Sequence, residues 1–337
     1  MSGAGALFPG HDSLFLDTLL SASHTLVMGH FNPDGDSLGS SVALYLALES
    51  LGRKVTLGYQ GRIHGHLAFL LNGVRDCRLI EATEKDLSQF DLAVIVDCLQ
   101  PDRIWEGMVD QDLLPPILIV DHHPGQEHIF KPIAKIHSPE VSSAGELMFK
   151  VIEALNVPLT RSIAEALMVA LMSDTGFFSQ NNSTSESFRQ ASVLVAHGAR
   201  SEYLAGCLKR NWTQARVRLL AAALGTLEIT FDGHLASMLL TQAMLEETGA
   251  NLDDMDGFVE YPRSMSGVEV AVLFRVDGQG HTRVSLRSDL HYNVQEVAEH
   301  FGGGGHRQAA AYTDPSGDPA QARERFLSQA IRYLKPR

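Results

Sequence analysis

At 337 residues the chain is long for a single core, so two domains are expected, and 45% hydrophobic with 20% charged residues excludes wholesale disorder. A formal charge of −13 argues against a duplex-binding surface, which needs clustered Lys and Arg, and favours a small anionic substrate held in a local pocket. Two bound divalent cations would offset four of those charges and still leave the chain acidic.

The opening MSGAGALFPGHDS has no basic segment followed by an apolar run, so no signal peptide is read there. Apolar stretches such as LAVIV and ILIV have the length of core strands and cannot span a bilayer. Cys77, Cys98 and Cys207 form no CxxC pair and no even-numbered framework, which points to reduced thiols and a cytoplasmic protein.

Through the first two hundred residues, β-rich runs alternate with helical patterns, the signature of βαβ units and a mostly parallel sheet. Strands are expected over residues 25–29, 54–58, 92–96 and 117–120, and helices over 37–51, 143–155 and 161–172. From residue 185 the pattern stays helical to about 227, read as helices joining two domains. A hairpin follows over 268–276 and 281–288 around Asp277-Gly278-Gln279-Gly280, then a helix over 294–301, four glycines, a strand HRQAAAYT and a terminal helix.

Four segments deliver Asp or His to the ends of elements. In GHFNPDGDSLGS, residues 29–40, His30, Asp34 and Asp36 share one loop between a strand and a helix, where open α/β sheets place ligands. The alternative is that Asp36 or Ser37 caps the next helix while Asp34 is solvated. Asp97 ends the apolar run LAVIV, and Asp121, His122 and His123 end ILIV. Adjacent histidines point different ways, so one can bind metal while the other faces substrate or a supporting partner. Asp174 closes an apolar helix, a position that opposes the helix dipole and calls for a compensating cation. Carboxylates with imidazoles suit hard or borderline divalent ions. Two such ions roughly 3.5–4 Å apart clamp the attacking and leaving oxygens of an in-line phosphoryl transfer, and Asp97 is the candidate bridge between them. In FGGGGHRQAA, residues 301–310, glycines let backbone N–H groups approach an anion, beside His306, Arg307 and, from VSLRS, Arg287; the alternative is a flexible linker.

GHFNPDGDSLGS, VIVDC, VDHHP and SDTGFF, in that order and spacing, resemble the four motifs of the DHH phosphoesterase superfamily. The segment from VEVAVLFRV through VSLRS to GGGGHRQAAA looks like the DHH-associated domain of its first subfamily, and the whole is similar to the nanoRNases, the bifunctional oligoribonuclease and phosphoadenosine-phosphate phosphatase type. The resemblance implies an α/β protein of two domains: a catalytic DHH domain over 1–195 with a mostly parallel sheet and flanking helices, a helical linker over 196–225, and a smaller α/β DHH-associated domain over 226–337, with the active site in the cleft between them. It implies manganese as the usual metal, with magnesium or cobalt as substitutes. One ion would take His30, Asp34 and Asp97; the second would take Asp36, Asp97, His122 and Asp174. His123 would face the substrate phosphate and act with Asp97 in catalysis, while His306, Arg287 and the glycines Gly303, Gly304 and Gly305 would hold phosphates. Asn32 is read as a turn residue.

The implied activity is hydrolysis of oligoribonucleotides of about two to five nucleotides, fewer than a strand-binding groove spans, and of 3′-phosphoadenosine 5′-phosphate to AMP. The implied partners are short oligonucleotides and nucleotide phosphates, with no long duplex and no membrane; a homodimer is compatible with the resemblance. Linear or cyclic dinucleotides as substrates, and a single-strand exonuclease of RecJ type, stand as alternatives. The exonuclease would be longer with an added nucleic-acid-binding domain, and a cyclic-dinucleotide phosphodiesterase would add membrane and sensor segments. A family-II pyrophosphatase would carry basic motifs where this chain has GGGGH, and a non-catalytic nucleotide-binding module would have lost metal ligands.

Overall fold

The computed structural model describes residues 12–80, 87–104, 114–124, 131–209, 212–289 and 291–330; most of the opening segment read for a leader lies outside them. The chain divides into two compact units, Met1–Asn211 and Trp212–Arg337.

In the first unit, α1 (Asp12–Ser21) precedes β1 (His24–Met28), α2 (Gly35–Ser50), β2 (Lys54–Tyr59), β3 (Cys77–Leu79), β4 (Leu92–Val96), β5 (Ile117–Asp121) and β6 (Ala134–His137). Helices α3 (Ala144–Ala154), α4 (Arg161–Asp174), α5 (Ser185–Ala196) and α6 (Ser201–Lys209) follow. The six strands form one parallel sheet in the order β3-β2-β1-β4-β5-β6. Strands buried on both faces need no polar alternation, which is why LAVIV and ILIV are continuous apolar runs. Val27, Val94, Val96, Leu118 and Val120 pack into the core under α2, α3 and α4. Their neighbours Leu26, Met28, Ala93, Ile95, Ile117 and Ile119 pack on the opposite face with Phe90 and Ile104. Helix α2 lies against α4 at Gly39, where a Cβ would stand 2.6 Å from the Ala166 carbonyl oxygen, so a side chain there would force the two helices apart.

The second unit contains α7 (Gln214–Leu224), β7 (Glu228–Thr230), β8 (Leu235–Leu240), α8 (Gln242–Thr248), α9 (Glu260–Arg263), β9 (Val270–Val276), β10 (Thr282–Ser288), α10 (Val294–His300), β11 (Gly304–His306), β12 (Ala309–Asp314) and α11 (Pro319–Ala330). Its six-stranded sheet runs β11-β12-β10-β9-β8-β7, with β8 and β9 parallel and every other pair antiparallel. Val270, Val272, Phe274, Val284, Leu286 and Tyr312 face the core completed by α10 and α11. Met238, Leu240, Ala271 and Leu273 face Leu219 and Ala223 of α7 together with Met255 and Phe258.

The expected hairpin forms as β9 and β10, closed by Asp277, whose Oδ1 accepts from the N–H groups of Gln279 (2.7 Å) and His281 (3.0 Å). The strand expected at HRQAAAYT forms as β12, and a short further strand, β11, precedes it across a tight turn. The long helical stretch breaks at Gly198, whose φ of 93° suits a residue without a Cβ. Within the segment read as a linker, Leu204 of α6 packs into the first unit's core, and Leu219 and Ala223 of α7 into the second's.

Candidate metal centre

Strand order reverses direction between β1 and β4, and the crevice at the carboxyl ends of such strands is where open α/β sheets bind ligands. The His30–Asp36 loop leaves β1 there, Asp97 follows β4 directly, and Asp121, His122 and His123 end and follow β5. Asp174 is the last residue of α4. The fold therefore brings all four sequence segments to one place.

Each side chain is held by its local structure. His30 Nδ1 lies 2.9 Å from the Phe31 carbonyl, an arrangement that leaves Nε2 as the acceptor, 3.7 Å from Asp34 Oδ1 and 3.7 Å from Asp97 Oδ2. Asp34 is the N-cap of α2, accepting from the N–H groups of Asp36 and Ser37 at 3.0 Å each. The cap is thus Asp34, and not Asp36 or Ser37 as the alternative sequence reading had it. Asp36 is fully buried and turned to the N-terminus of α3: it accepts from Ala144 N–H (2.7 Å), Gly145 N–H (2.9 Å) and the Ser40 hydroxyl (3.1 Å). A helix N-terminus favours a carboxylate there. Asn32, with φ 51°, accepts from Arg62 N–H at 2.7 Å and holds the loop as a turn residue.

Asp97 is 2% exposed and has a φ of 61°, an uncommon conformation for a residue with a Cβ. Its two oxygens face different partners: Oδ2 toward His30, Oδ1 toward His122 Nε2 at 3.5 Å and His123 Nδ1 at 3.4 Å. His122 Nε2 also lies 3.0 Å from Asp174 Oδ2 and 3.7 Å from Asp36 Oδ2. His123 is turned by Asp121, fully buried, whose Oδ1 accepts from its backbone N–H (2.9 Å) and lies 2.8 Å from Nδ1. Both histidines lie beyond the last residue of β5, so strand alternation does not separate them, and both border Asp97.

Burial, followed by the charge of Asp174, pushes the Asp36 carboxyl well above its ordinary range; burial, followed by Asp36 and Asp34, does the same to Asp97. For His122 burial acts in the opposite direction, but Asp174, Asp36 and Asp121 outweigh it and raise the imidazole to about 9. Burial also opposes protonation of His30, yet pairing with Asp34 leaves it raised. Asp121 is held low despite its burial, because His123 hydrogen-bonds to it. So many carboxylates taken out of water repel one another unless cations lie among them.

The donor set fits divalent ions. His30, Asp34 and Asp97 offer atoms within 4.8 Å of one another, as do Asp36, His122 and Asp174, and a third group joins Asp97 with His122 and His123. Asp97 Oδ1 is buried without a hydrogen-bond partner, as befits an oxygen that would ligate an ion. Hard carboxylates with imidazoles and no thiol match that chemistry.

In the second unit, the glycine segment is not an open loop. Gly302 (φ 77°) and Gly303 cap α10, their N–H groups donating to the carbonyls of Glu299 (3.0 Å) and Ala298 (2.8 Å). The Gly303 N–H is therefore committed to the helix end. A Cβ on Gly305 would stand 2.6 Å from the Ala309 carbonyl oxygen, whereas one on Gly304 would meet nothing within 4 Å. His306, Ala309 and Arg287 lie directly across from one another on β11, β12 and β10, so their side chains share one face. His306 and Arg287 thus flank an alanine floor, about 10 Å apart by two strand spacings. Arg287 Nε lies 3.3 Å from Glu260 Oε1.

Residues 24–171 match the DHH family N-terminal domain, and residues 235–335 match the DHHA1 domain. The bifunctional oligoribonuclease and PAP phosphatase NrnA of Thermus thermophilus is 30% identical over 90% of this chain and 87% of its own length. The chain belongs to the DHH phosphoesterase family. The cyclic-di-AMP phosphodiesterase GdpP of Geobacillus thermodenitrificans is 26% identical over 88% of this chain, but the chain spans only 45% of that relative. A crystal structure of an exopolyphosphatase-related protein from Bacteroides fragilis, 24% identical, superimposes with a TM-score of 0.83 over 96% of this chain and 98% of its own, so the two share a fold.

In this DHH phosphoesterase the expected first-unit residues His30, Asp34, Asp36, Asp97, His122, His123 and Asp174 converge, while His306, Arg287 and Gly303–Gly305 belong to the other unit. Sequence reasoning did not give Asp121 its part as the anchor of His123. Nor did it foresee the N–H groups of Ala144 and Gly145 that hold Asp36, which only the tertiary fold brings within reach. Among the described residues, no helix is long and apolar enough to cross a membrane.

Proposed function

We propose that this protein is a two-manganese phosphoesterase that hydrolyses oligoribonucleotides of about two to five nucleotides, fewer than a strand-tracking groove spans, and releases phosphate from 3′-phosphoadenosine 5′-phosphate. The observation that carries the two-ion reading is Asp97, buried, with its two oxygens turned to separate His and Asp sets. His30, Asp34 and Asp97 would hold one ion; Asp36, Asp97, His122 and Asp174 would hold the other. Bound divalent cations supply Lewis acidity that offsets the charge gathering on a transferring phosphoryl group. Asp34 and Asp36 are fixed at helix N-termini, so their oxygens are in place before any ligand arrives. His123, with Nδ1 directed at Asp121, has Nε2 as the ring nitrogen for the substrate phosphate or the leaving oxygen. Protonated, it donates there, and the Asp121 carboxylate stabilises the imidazolium. Arg287 and His306 offer cationic and hydrogen-bonding contacts for substrate phosphates on the face of the DHHA1 sheet. The oligoribonuclease and phosphatase named for the Thermus relative supports this choice of substrate. Cys77, Cys98 and Cys207, none of them in a disulfide, support a reducing, cytoplasmic setting.

The cyclic-di-AMP phosphodiesterase among the relatives favours a second reading, hydrolysis of linear or cyclic dinucleotides. A turnover panel with manganese decides: a dinucleotide, a long single strand, 3′-phosphoadenosine 5′-phosphate and cyclic di-AMP. The dinucleotide and 3′-phosphoadenosine 5′-phosphate are expected to lead in kcat/KM, with shallow salt dependence because few phosphates meet protein cations. Equal or faster decay of the long strand, or a clear preference for the cyclic substrate, would overturn the proposal.

A further inference from the structure

A cavity of about 240 Å³ in the DHHA1 unit is lined by Trp212, Arg216, Asp256, Gly257, Glu260, Tyr261 and Ser264. None of these residues belongs to the motifs that carry the metal centre. Its walls are aromatic: Trp212 and Tyr261 meet edge to face at 6.1 Å, and both pack on the buried Phe258. The Arg216 guanidinium lies 4.8 Å above the Trp212 ring, held by a hydrogen bond from its terminal nitrogen to the Asp256 carbonyl at 2.6 Å. Arg216 Nε, by contrast, is buried without a hydrogen-bond partner.

We infer that this cavity is the subsite for a nucleobase of the substrate, held against Trp212, Tyr261 and the Arg216 guanidinium. Ring faces and a guanidinium plane are the surfaces on which bases stack, with little dependence on which base it is. The cavity is also tied to the phosphate-contacting row. Glu260 forms part of its wall, and that carboxylate lies 3.3 Å from Arg287 Nε. A phosphate at Arg287 and a base in the cavity would therefore stand on either side of the Glu260 side chain. The inference rests on the reading above that nucleotides are the substrates and that Arg287 meets their phosphates.

The test uses the full chain carrying Trp105→Phe, which leaves Trp212 as its one tryptophan. AMP and ribose 5-phosphate, which lacks the base, are titrated into the manganese-loaded protein while Trp212 fluorescence is read. AMP is expected to quench saturably and ribose 5-phosphate to leave the signal unchanged. Tyr261→Ala should weaken AMP binding by roughly 5- to 100-fold, the worth of one base stack. Ser264→Phe, at an exposed position on the rim, fills the cavity without disturbing the core and should do the same. Equal responses to the two ligands, or unchanged AMP affinity in both variants, would overturn the subsite. Dinucleotide turnover by the unaltered protein reports on the function separately: turnover without base-dependent quenching removes the subsite alone, and quenching without turnover removes the substrate assignment alone.

Discussion

Asp97→Asn is expected to stabilise the metal-free protein while abolishing its activity. Asp97 is 2% exposed, its charge stands among Asp36, Asp34, Asp174 and Asp121, and burial with this company lifts its carboxyl well above the ordinary 3.8. A group whose folded pKa lies above its unfolded one destabilises the fold as pH rises from the unfolded to the folded value. Each unit of such a shift is worth about 1.4 kcal/mol. Asparagine keeps the shape, removes the charge and tolerates the left-handed φ of 61° more readily than most residues. A gain of about 2 kcal/mol is expected, in line with other replacements of buried charge, or roughly 4–8 °C for the unit that holds the site. His122 adds a slope of the same sign. Its stabilising pairing is complete below 6.5 and is lost as pH rises through about 9. The chelated wild type should therefore lose stability from about pH 4 to pH 9, and the variant should lose less. Manganese at a hundredfold excess over Kd would add about 2.7 kcal/mol per site to the wild type and much less to the variant, because both ion sites as proposed would share Asp97. The assay is thermal unfolding followed by circular dichroism, with chelator and with manganese, across that pH range, beside metal content and turnover. A variant less stable than wild type at pH 8 in chelator, or one that still turns over substrate, refutes the bridging argument.

Asp121→Asn should lower kcat by on the order of 10²–10⁴, since His123 loses the charge that orients it and stabilises its protonated form; manganese content should be unchanged, and an unaltered kcat would remove Asp121 from the reaction. His306→Ala should reduce kcat/KM by about 10- to 100-fold, the worth of one charge-assisted hydrogen bond, again without loss of metal. If manganese is lost from that variant, the centre has been misplaced. Gly39→Ala sets a Cβ 2.6 Å from the Ala166 carbonyl oxygen and 3.1 Å from the Ala170 nitrogen, both backbone atoms. It should cost about 1–3 kcal/mol and weaken manganese binding, because α2 and α4 carry Asp36 and Asp174. Gly206→Ala, in α6 with nothing within 4 Å, is the control expected to leave manganese binding unchanged and to stabilise by about 0.5–1 kcal/mol.

The convergence of these Asp and His residues was legible because each stands at or beside the end of an element that sequence pattern defines well. Apolar runs at β1, β4 and β5 mark strands buried on both faces, and the polar residue that stops each run sits on the ligand side of the sheet. What pattern could not decide is which neighbouring carboxylate does what. Asp34 and Asp36 are two apart at the start of α2, and by spacing alone either could cap it. The choice is made 108 residues away, where the N–H groups of Ala144 and Gly145 claim Asp36 and leave Asp34 to the cap.

How much of the glycine segment is open backbone was hidden from the sequence for a related reason. Four glycines in a row look like backbone laid open to an anion, but what the missing side chains make room for is set by β12 and α10. Gly302 and Gly303 end a helix, and Gly305 lets β11 lie against Ala309, so open backbone narrows to Gly304. His306 is consequently held on a strand, in register with Ala309 and Arg287, and not carried on a flexible loop. A hydrogen-bonding group fixed by sheet pairing meets a phosphate with little ordering cost. The small residues around it therefore act through backbone placement, and under the proposed function the recognition chemistry would fall to His306 and Arg287, in register on either side of Ala309.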